Sequence, residues 1–230
     1  MEPNYRRQMR FRCSSLGKIM TNSRKKGELS KTAQSYVQKV LKERLFEVST
    51  RVSSKYTDKG LIMEDEAIDL VALVKGFDAF DFVKNEEHFK NEYLTGTPDI
   101  IHGNTIRDIK CSWSVETYPL FDTDVPNKDY YWQLMGYMFL TGAEVAYLDY
   151  CLVDTPHYLI EREISAEAYR LGVEQIDKKV AEEIRANMTF NTHDPKHRVK
   201  TFTIERDENA IETIINRVGE CNLYADTLQA

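Results

Sequence analysis

Apolar side chains recur at three- and four-residue spacing over several long stretches of the chain, and at alternate positions or in short unbroken runs over others. The first spacing marks an amphipathic helix and the second a strand. Ser14 or Ser15 starts a short helix through Met20, and Ser30 caps a longer one whose apolar face holds Ala33, Val37, Val40, Leu41 and Leu45. A third helix is predicted from about Thr57 to Lys75, with Gly76 as its stop. DAFDFV and HFKNEYL read as strands, and two short strands follow within GTPDIIHGNTIRDIKCSW, residues 96–113. Asn127 caps the helix KDYYWQLMGYMFLT, which ends at Gly142. EVAYLDYCLV and HYLIEREI read as strands, SAEAYRLGVEQIDKKVAEEIRANM as an amphipathic helix capped by Ser165, KTFTIER as a strand, and a last helix begins near Glu208. This order predicts an α/β or α+β protein, a central mixed β-sheet flanked by helices, in a single domain spanning 1–230.

Charge changes the picture at one end. The chain carries a net charge of −6, which argues against coating nucleic acid through bulk charge. Residues 1–31, however, hold nine Lys/Arg (Arg6, Arg7, Arg10, Arg12, Lys18, Arg24, Lys25, Lys26 and Lys31) against Glu2 and Glu28, a local +7 that leaves −13 on the remainder. A basic N-terminal arm on an acidic protein suits phosphate contact. Cys13, Cys111, Cys151 and Cys221 are scattered, with no C-x-x-C pair, and read as reduced thiols. There is no apolar leader and no run near the roughly 18 apolar residues of a membrane span, so a cytoplasmic protein without membrane partners is expected.

The hairpin carries the chemistry. A loop at Gly103-Asn104 sets one register, pairing Ile101 with Ile106, Ile100 with Arg107 and Asp99 with Asp108. Facing residues on paired strands lie about 5 Å apart at Cβ, so two carboxylates there repel and call for a cation. Lys110 shares the face of Asp108, while Ile109 points to the opposite face. A divalent ion with hard oxygen ligands would supply more positive charge than one lysine. Glu64 adds a second anomaly, a carboxylate within the apolar stripe of Leu61, Ala67, Ile68 and Val71. Gln133 and Tyr137, four residues apart in an apolar helix, share a face and add a third.

Glutamate on a helix, aspartate on one strand, Asp-x-Lys on the next and Gln-x-x-x-Tyr on the following helix resemble the PD-(D/E)XK nuclease superfamily. G-x-x-x-E at Gly60 to Glu64, T-P-D at Thr97 to Asp99, D-I-K-C at Asp108 to Cys111 and Q-L-M-G-Y-M-F-L-T at Gln133 to Thr141 look like its bacteriophage lambda exonuclease branch, the YqaJ-type viral recombinases. R-x-S-S at Arg12 to Ser15 is similar to that branch as well. Asp108 stands where the lambda enzyme has glutamate; the superfamily uses either. The resemblance covers about residues 10 to 225 and implies a restriction-endonuclease-like core.

It also implies roles. Asp99, Asp108, the carbonyl of Ile109 and Glu64 would hold one or two Mg2+ ions, with Mn2+ as a substitute. Lys110 would orient or deprotonate the attacking water, Gln133 would position Lys110 or that water, and Tyr137 would support it. Arg12 or Arg10, with Ser14 and Ser15, would bind a 5′ phosphate. The implied activity is 5′-to-3′ digestion of linear double-stranded DNA, exposing a 3′ strand for a single-strand annealing protein, by a phage or prophage protein in a bacterial host. Members of the branch can form toroidal homotrimers. Two alternatives stay open on the sequence: a Cas4-like or RecB-like exonuclease without a clustered-cysteine iron-sulfur site, and a non-catalytic DNA-end-binding protein on the same fold.

Overall fold

The computed structural model describes residues 8–50, 53–78 and 81–228. β1 (Phe11–Arg12) leads through a 3-10 turn at Cys13–Ser15 into α1 (Leu16–Ile19). Ser15 stands at the N-cap of α1 without a capping hydrogen bond from its side chain. α2 (Lys31–Leu45) follows, with the Ser30 hydroxyl accepting the Ala33 N–H at 3.0 Å, as its sequence predicts. Ala33 and Val37 are buried, and the stripe runs out at Leu45, which is exposed. The single helix expected over 57–75 is two: α3 (Lys55–Ile62), opened by a Ser54–Thr57 capping box, and α4 (Glu64–Lys75), closed by Gly76 at a φ of 72°. The break at Met63 separates exposed Leu61 and Ile62 from buried Ala67, Ile68, Leu70 and Val71. One straight helix would have forced those two sets onto a common stripe.

HFKNEYL is a tight hairpin and not one strand. β2 (Phe89–Lys90) turns into β3 (Leu94–Gly96) because the Asn91 side chain accepts the N–H groups of Tyr93 and Leu94 at 2.9 and 2.8 Å. β1 pairs in parallel on the other edge of β3, giving the order β1-β3-β2. DAFDFV falls partly outside the described residues, at 79–80, and Asp81 and Phe82 turn back onto the Asp78 carbonyl instead of extending.

The larger sheet has the order β4 (Ile100–His102), β5 (Thr105–Cys111), β6 (Val145–Cys151), β7 (Val199–Glu205). β5 runs parallel to β6, and the other pairs are antiparallel, so the expected mixed sheet is present. A parallel pair needs a crossover, and α5 (Lys128–Thr141) supplies it, capped by Asn127 and ended by Gly142 at a φ of 77°. HYLIEREI is a correction: it opens the helix α6 (His157–Leu171). Leu159 and Ile160 are adjacent and both buried, which suits one side of a helix and no one-sided strand. Ser165 therefore lies inside α6, its hydroxyl donating to the Glu161 carbonyl, and Gly172 separates α6 from α7 (Lys178–Ala186). α8 (Glu208–Asp226) closes the chain.

Alternation along the strands sorts the layers. Ile106, Ala146, Leu148, Phe202 and Ile204 pack with α1, α2, α5 and α8, while Ile109, Cys151 and Val199 pack with α4. On that second face Arg107 and Asp149 form a buried ion pair at 2.6 Å, and Thr201 donates to the same carboxylate. Among the described residues, no helix is long and apolar enough to cross a membrane.

The N-terminal segment docks on α5 at glycine. A Cβ on Gly136 would lie 2.6 Å from Leu16 Cδ1 and 2.9 Å from Cys13 Sγ, and one on Gly96 would lie 2.6 Å from the Tyr137 ring. Gly136→Ala is thus expected to destabilise by about 1–3 kcal/mol through overpacking. Gly219→Ala, in open space on α8, should be neutral or stabilising by up to about 1 kcal/mol. Denaturant unfolding of both variants checks the contrast, and equal stabilities would refute the close-packing argument.

Candidate active site

A cleft of about 640 Å³ opens where β5 ends, between α3, the first residue of α4, and α5. Asp99, Asp108, Ile109, Lys110, Glu64 and Gln133 all line it. The hairpin keeps the expected register at Ile100↔Arg107 and Ile101↔Ile106. Asp99, though, has left the ladder. Its carbonyl accepts the Asn85 N–H at 2.7 Å, and its Oδ2 accepts the Ile109 N–H at 2.6 Å, so its side chain reaches the β5 backbone next to Asp108 and it is not a paired strand residue.

Asp108 is 1% exposed. Its Oδ1 accepts from Gln133 Nε2 at 2.8 Å, and Gln133 also donates to the Tyr137 hydroxyl at 3.1 Å. Gln133 was expected to hold Lys110 or a water; it holds Asp108. Lys110 Nζ lies 2.6 Å from Asp108 Oδ2 and 4.7 Å from the centre of the Tyr130 ring. Burial alone would lower the Lys110 pKa, but Asp108 and Asp99 outweigh it and hold the ammonium up to about 12. Glu64 is the first residue of α4, stands outside the core and lines the cleft; Lys84, which does not line it, pairs with Glu64 at 2.8 Å and with Asp65 at 3.2 Å. Among the described residues, no three His, Cys, Asp or Glu side chains converge into a ready-made metal cage.

A second cavity, of about 560 Å³, adjoins the first and shares Ser14 and Thr57 with it. Met9 and Phe11 are buried while Arg10 and Arg12 are exposed, so extended backbone aims the two arginines at this cavity, and the 3-10 turn adds Ser14 and Ser15. α2 adds Lys39 and Arg44, and Lys18 completes five cations around one carboxylate, Glu43. Burial, and then the charge of Arg10, lower the Arg44 pKa. Ser15 meets the Tyr36 hydroxyl. Arg6 and Arg7 of the basic arm lie outside the described residues.

The acid, Asp-x-Lys and Gln-x-x-x-Tyr elements on this sheet and helix define a PD-(D/E)XK nuclease fold. The crystal structure of a phage-related exonuclease from Haemophilus somnus 129PT is 32% identical, with 95% of this chain and 94% of that one covered, at a TM-score of 0.76. The chain belongs to this family, the lambda exonuclease and YqaJ-type recombinase branch of the superfamily. An alkaline exonuclease from Laribacter hongkongensis has the same fold at 14% identity over 94% of this chain and 88% of that one, TM-score 0.63. Its complex with dAMP aligns at 16% identity, covering 96% and 90%, also at 0.63. No family model and no curated protein matches the sequence.

Sequence reasoning missed Lys84, Tyr130, Lys39 and Arg44. Tyr130 had a usable signal, since it sits three and seven residues before Gln133 and Tyr137 on one helical face. Lys84 had none, because its partners are about twenty residues away.

Burial, followed by the charge of Asp108, pushes the Asp99 carboxyl from its ordinary 3.8 up to about 8, against the pull of Lys110 and the Ile109 N–H. Between those values the folded protein keeps a proton that the unfolded chain has lost, so stability falls as pH rises. In metal-free buffer, wild type should lose stability from about pH 4 to about pH 8 relative to Asp99→Asn. Parallel unfolding curves for the two proteins would count against this account.

Proposed function

We propose that this protein is a metal-dependent exodeoxyribonuclease that digests one strand of linear duplex DNA from its 5′ end. The observation that supports it best is adjacency: the cleft holding Asp99, Asp108, Lys110 and Gln133 adjoins a cavity ringed by five cations and shares Ser14 and Thr57 with it. A strand whose 5′ phosphate sits among Arg10, Arg12, Ser14 and Ser15 would present an inner phosphodiester to Asp108 and Lys110. Kinship with a phage-related exonuclease supports the same reaction class.

A divalent ion, Mg2+ or Mn2+, fits the donor set. Asp99, Asp108, Glu64 and the Ile109 carbonyl offer hard oxygens, and among the described residues Asp108 Oδ2 is met by the Lys110 ammonium and by no other donor. When bound, such an ion polarises the scissile phosphate and makes water a better nucleophile at neutral pH. Lys110 orients the attacking water and offsets the charge that builds on the phosphorus oxygens. Gln133 fixes the Asp108 carboxylate so that it cannot rotate away, and Tyr137 fixes Gln133. Arg12, seconded by Arg10, binds the terminal phosphate with charge-assisted hydrogen bonds.

We further propose that one nuclease domain spans the chain, that it works in the cytoplasm of a bacterial host, and that it leaves a 3′ overhang for an annealing protein. A homotrimer around DNA would make digestion processive.

Duplexes labelled on one strand end at a time, with 5′-phosphate or 5′-hydroxyl termini, test this directly. Label should be released from the 5′ end first, with Mg2+, and Lys110→Ala should lower the rate by about 10²–10⁴-fold. Release from 3′ ends first would reverse the polarity, and a wild type as inert as the variant on every end and metal would leave an end-binding protein. Separately, Arg12→Ala is expected to reduce the preference for 5′-phosphate over 5′-hydroxyl ends by about 10–100-fold. An unchanged ratio would move the phosphate elsewhere.

A further inference from the structure

Lys59 is 1% exposed, and among the described residues no carboxylate forms an ion pair with it. Burial pulls its pKa down to about 8, an effect only partly offset by Cys111, Asp154 and Glu66. An unpaired buried ammonium is costly, and a methionine would fill the same space without that cost. Its contacts explain why a cation is needed. The β5–β6 ladder ends at Cys111↔Cys151, after which the Ser112 N–H still reaches the Cys151 carbonyl. The carbonyls of Ser112 and Trp113 then lie beyond the ladder, and among the described residues no backbone N–H reaches either. Lys59 Nζ donates to both, at 2.8 and 3.3 Å.

This fastening shapes the cleft. Lys59 belongs to α3, whose Tyr56, Thr57, Gly60 and Leu61 line one wall together with Ser112 and Trp113. Across the joint, the Tyr56 and Trp113 rings meet edge to face at 5.5 Å, and Lys55 lies 4.9 Å from the Trp113 ring while held at 2.7 Å by Glu163. Tyr56 is 56% exposed, so its ring is open to a ligand. A nucleotide offers a flat π face to such a surface whatever its base.

We propose that Lys59 is a positioning residue for DNA: by tying α3 to the turn after β5, it fixes an aromatic wall of Tyr56 and Trp113 against which a nucleotide in the cleft rests. The proposal builds on the nuclease reading above and adds a subsite to it. Lys59 acts through the two carbonyls and never touches the substrate.

The chain has two tryptophans, so a Trp132→Phe background leaves Trp113 as its single tryptophan, read by excitation at the red edge where tyrosine does not absorb. In that background, a 5′-phosphorylated duplex in metal-free buffer should change Trp113 emission, and Lys59→Met should red-shift that emission without DNA. The same substitution should raise KM for duplex on the order of tenfold, the loss falling on KM more than on kcat, with Lys59→Arg restoring most of it because a guanidinium can also donate twice. Emission insensitive to both DNA and Lys59→Met would overturn the proposal, as would a fall confined to kcat. If Lys59→Met does not fold, Tyr56→Ala reads the same wall: a KM rise of similar size supports it, and an unchanged KM refutes it. A wild type inert on DNA would sink the nuclease reading instead, and the emission changes would still judge the wall.

Discussion

A carboxylate buried in the middle of a sheet is the constraint from which the rest of the site follows. Asp108 sits on the central strand, facing the layer that also holds the largest apolar cluster, and a charge there costs several kcal/mol unless it is paired and hydrogen-bonded. One oxygen is met by Gln133 from α5 and the other by Lys110 from the same strand. Both partners are fixed by periodicity alone. Lys110 is two residues along a strand, so it shares the face of Asp108, and Gln133 is presented by the crossover helix that a parallel β5–β6 pair demands. The Gln133 hydrogen bond to Asp108 ties α5 to the sheet at the cleft floor.

The same helix carries that constraint outward to the N-terminal segment. Gly136 and Tyr137 follow Gln133, and at Gly136 the 3-10 turn and α1 approach so closely that any side chain would collide with Leu16 and Cys13. Alternation then does the remaining work: with Cys13 held in that contact and Phe11 buried, Arg10 and Arg12 face the neighbouring cavity. The positions of the cationic cavity and of the acidic cleft are therefore not independent, since one face of α5 sets both.

How much of this was legible in the sequence depends on the range of the interaction. The β4–β5 register, the α2 and α5 caps, and the common face of Gln133 and Tyr137 follow from neighbours within a few residues, and all were readable. Asp99 leaving the ladder was not, because the Asn85 N–H that claims its carbonyl comes from a distant segment. Glu64 was legible as an anomaly but not in its placement: a carboxylate on an apolar stripe correctly signalled that something had to give, and what gave was the helix, at Met63. HYLIEREI misled because a run of mixed polar and apolar residues fits either period, and burial of two adjacent side chains decides between them only in three dimensions. Lys84, Lys39, Arg44 and Lys59 act across sequence separations over which a single chain gives no pattern.

Distribution of charge explains how an acidic protein can act on DNA. With −6 overall and five cations gathered in one cavity, most of the surface repels a duplex and one recess attracts it. Under the proposed function this recess of about 560 Å³ takes the terminal phosphate of a strand. If that role holds, bulk repulsion and local attraction act together to favour ends over internal sites, and salt should weaken both, since each is screened over about 10 Å at ordinary ionic strength. On this reading the terminal phosphate is bound first, by groups that need no metal, and the inner phosphodiester is admitted afterwards. A preference for ends would then originate in the folded charge pattern, ahead of any chemistry at the scissile bond.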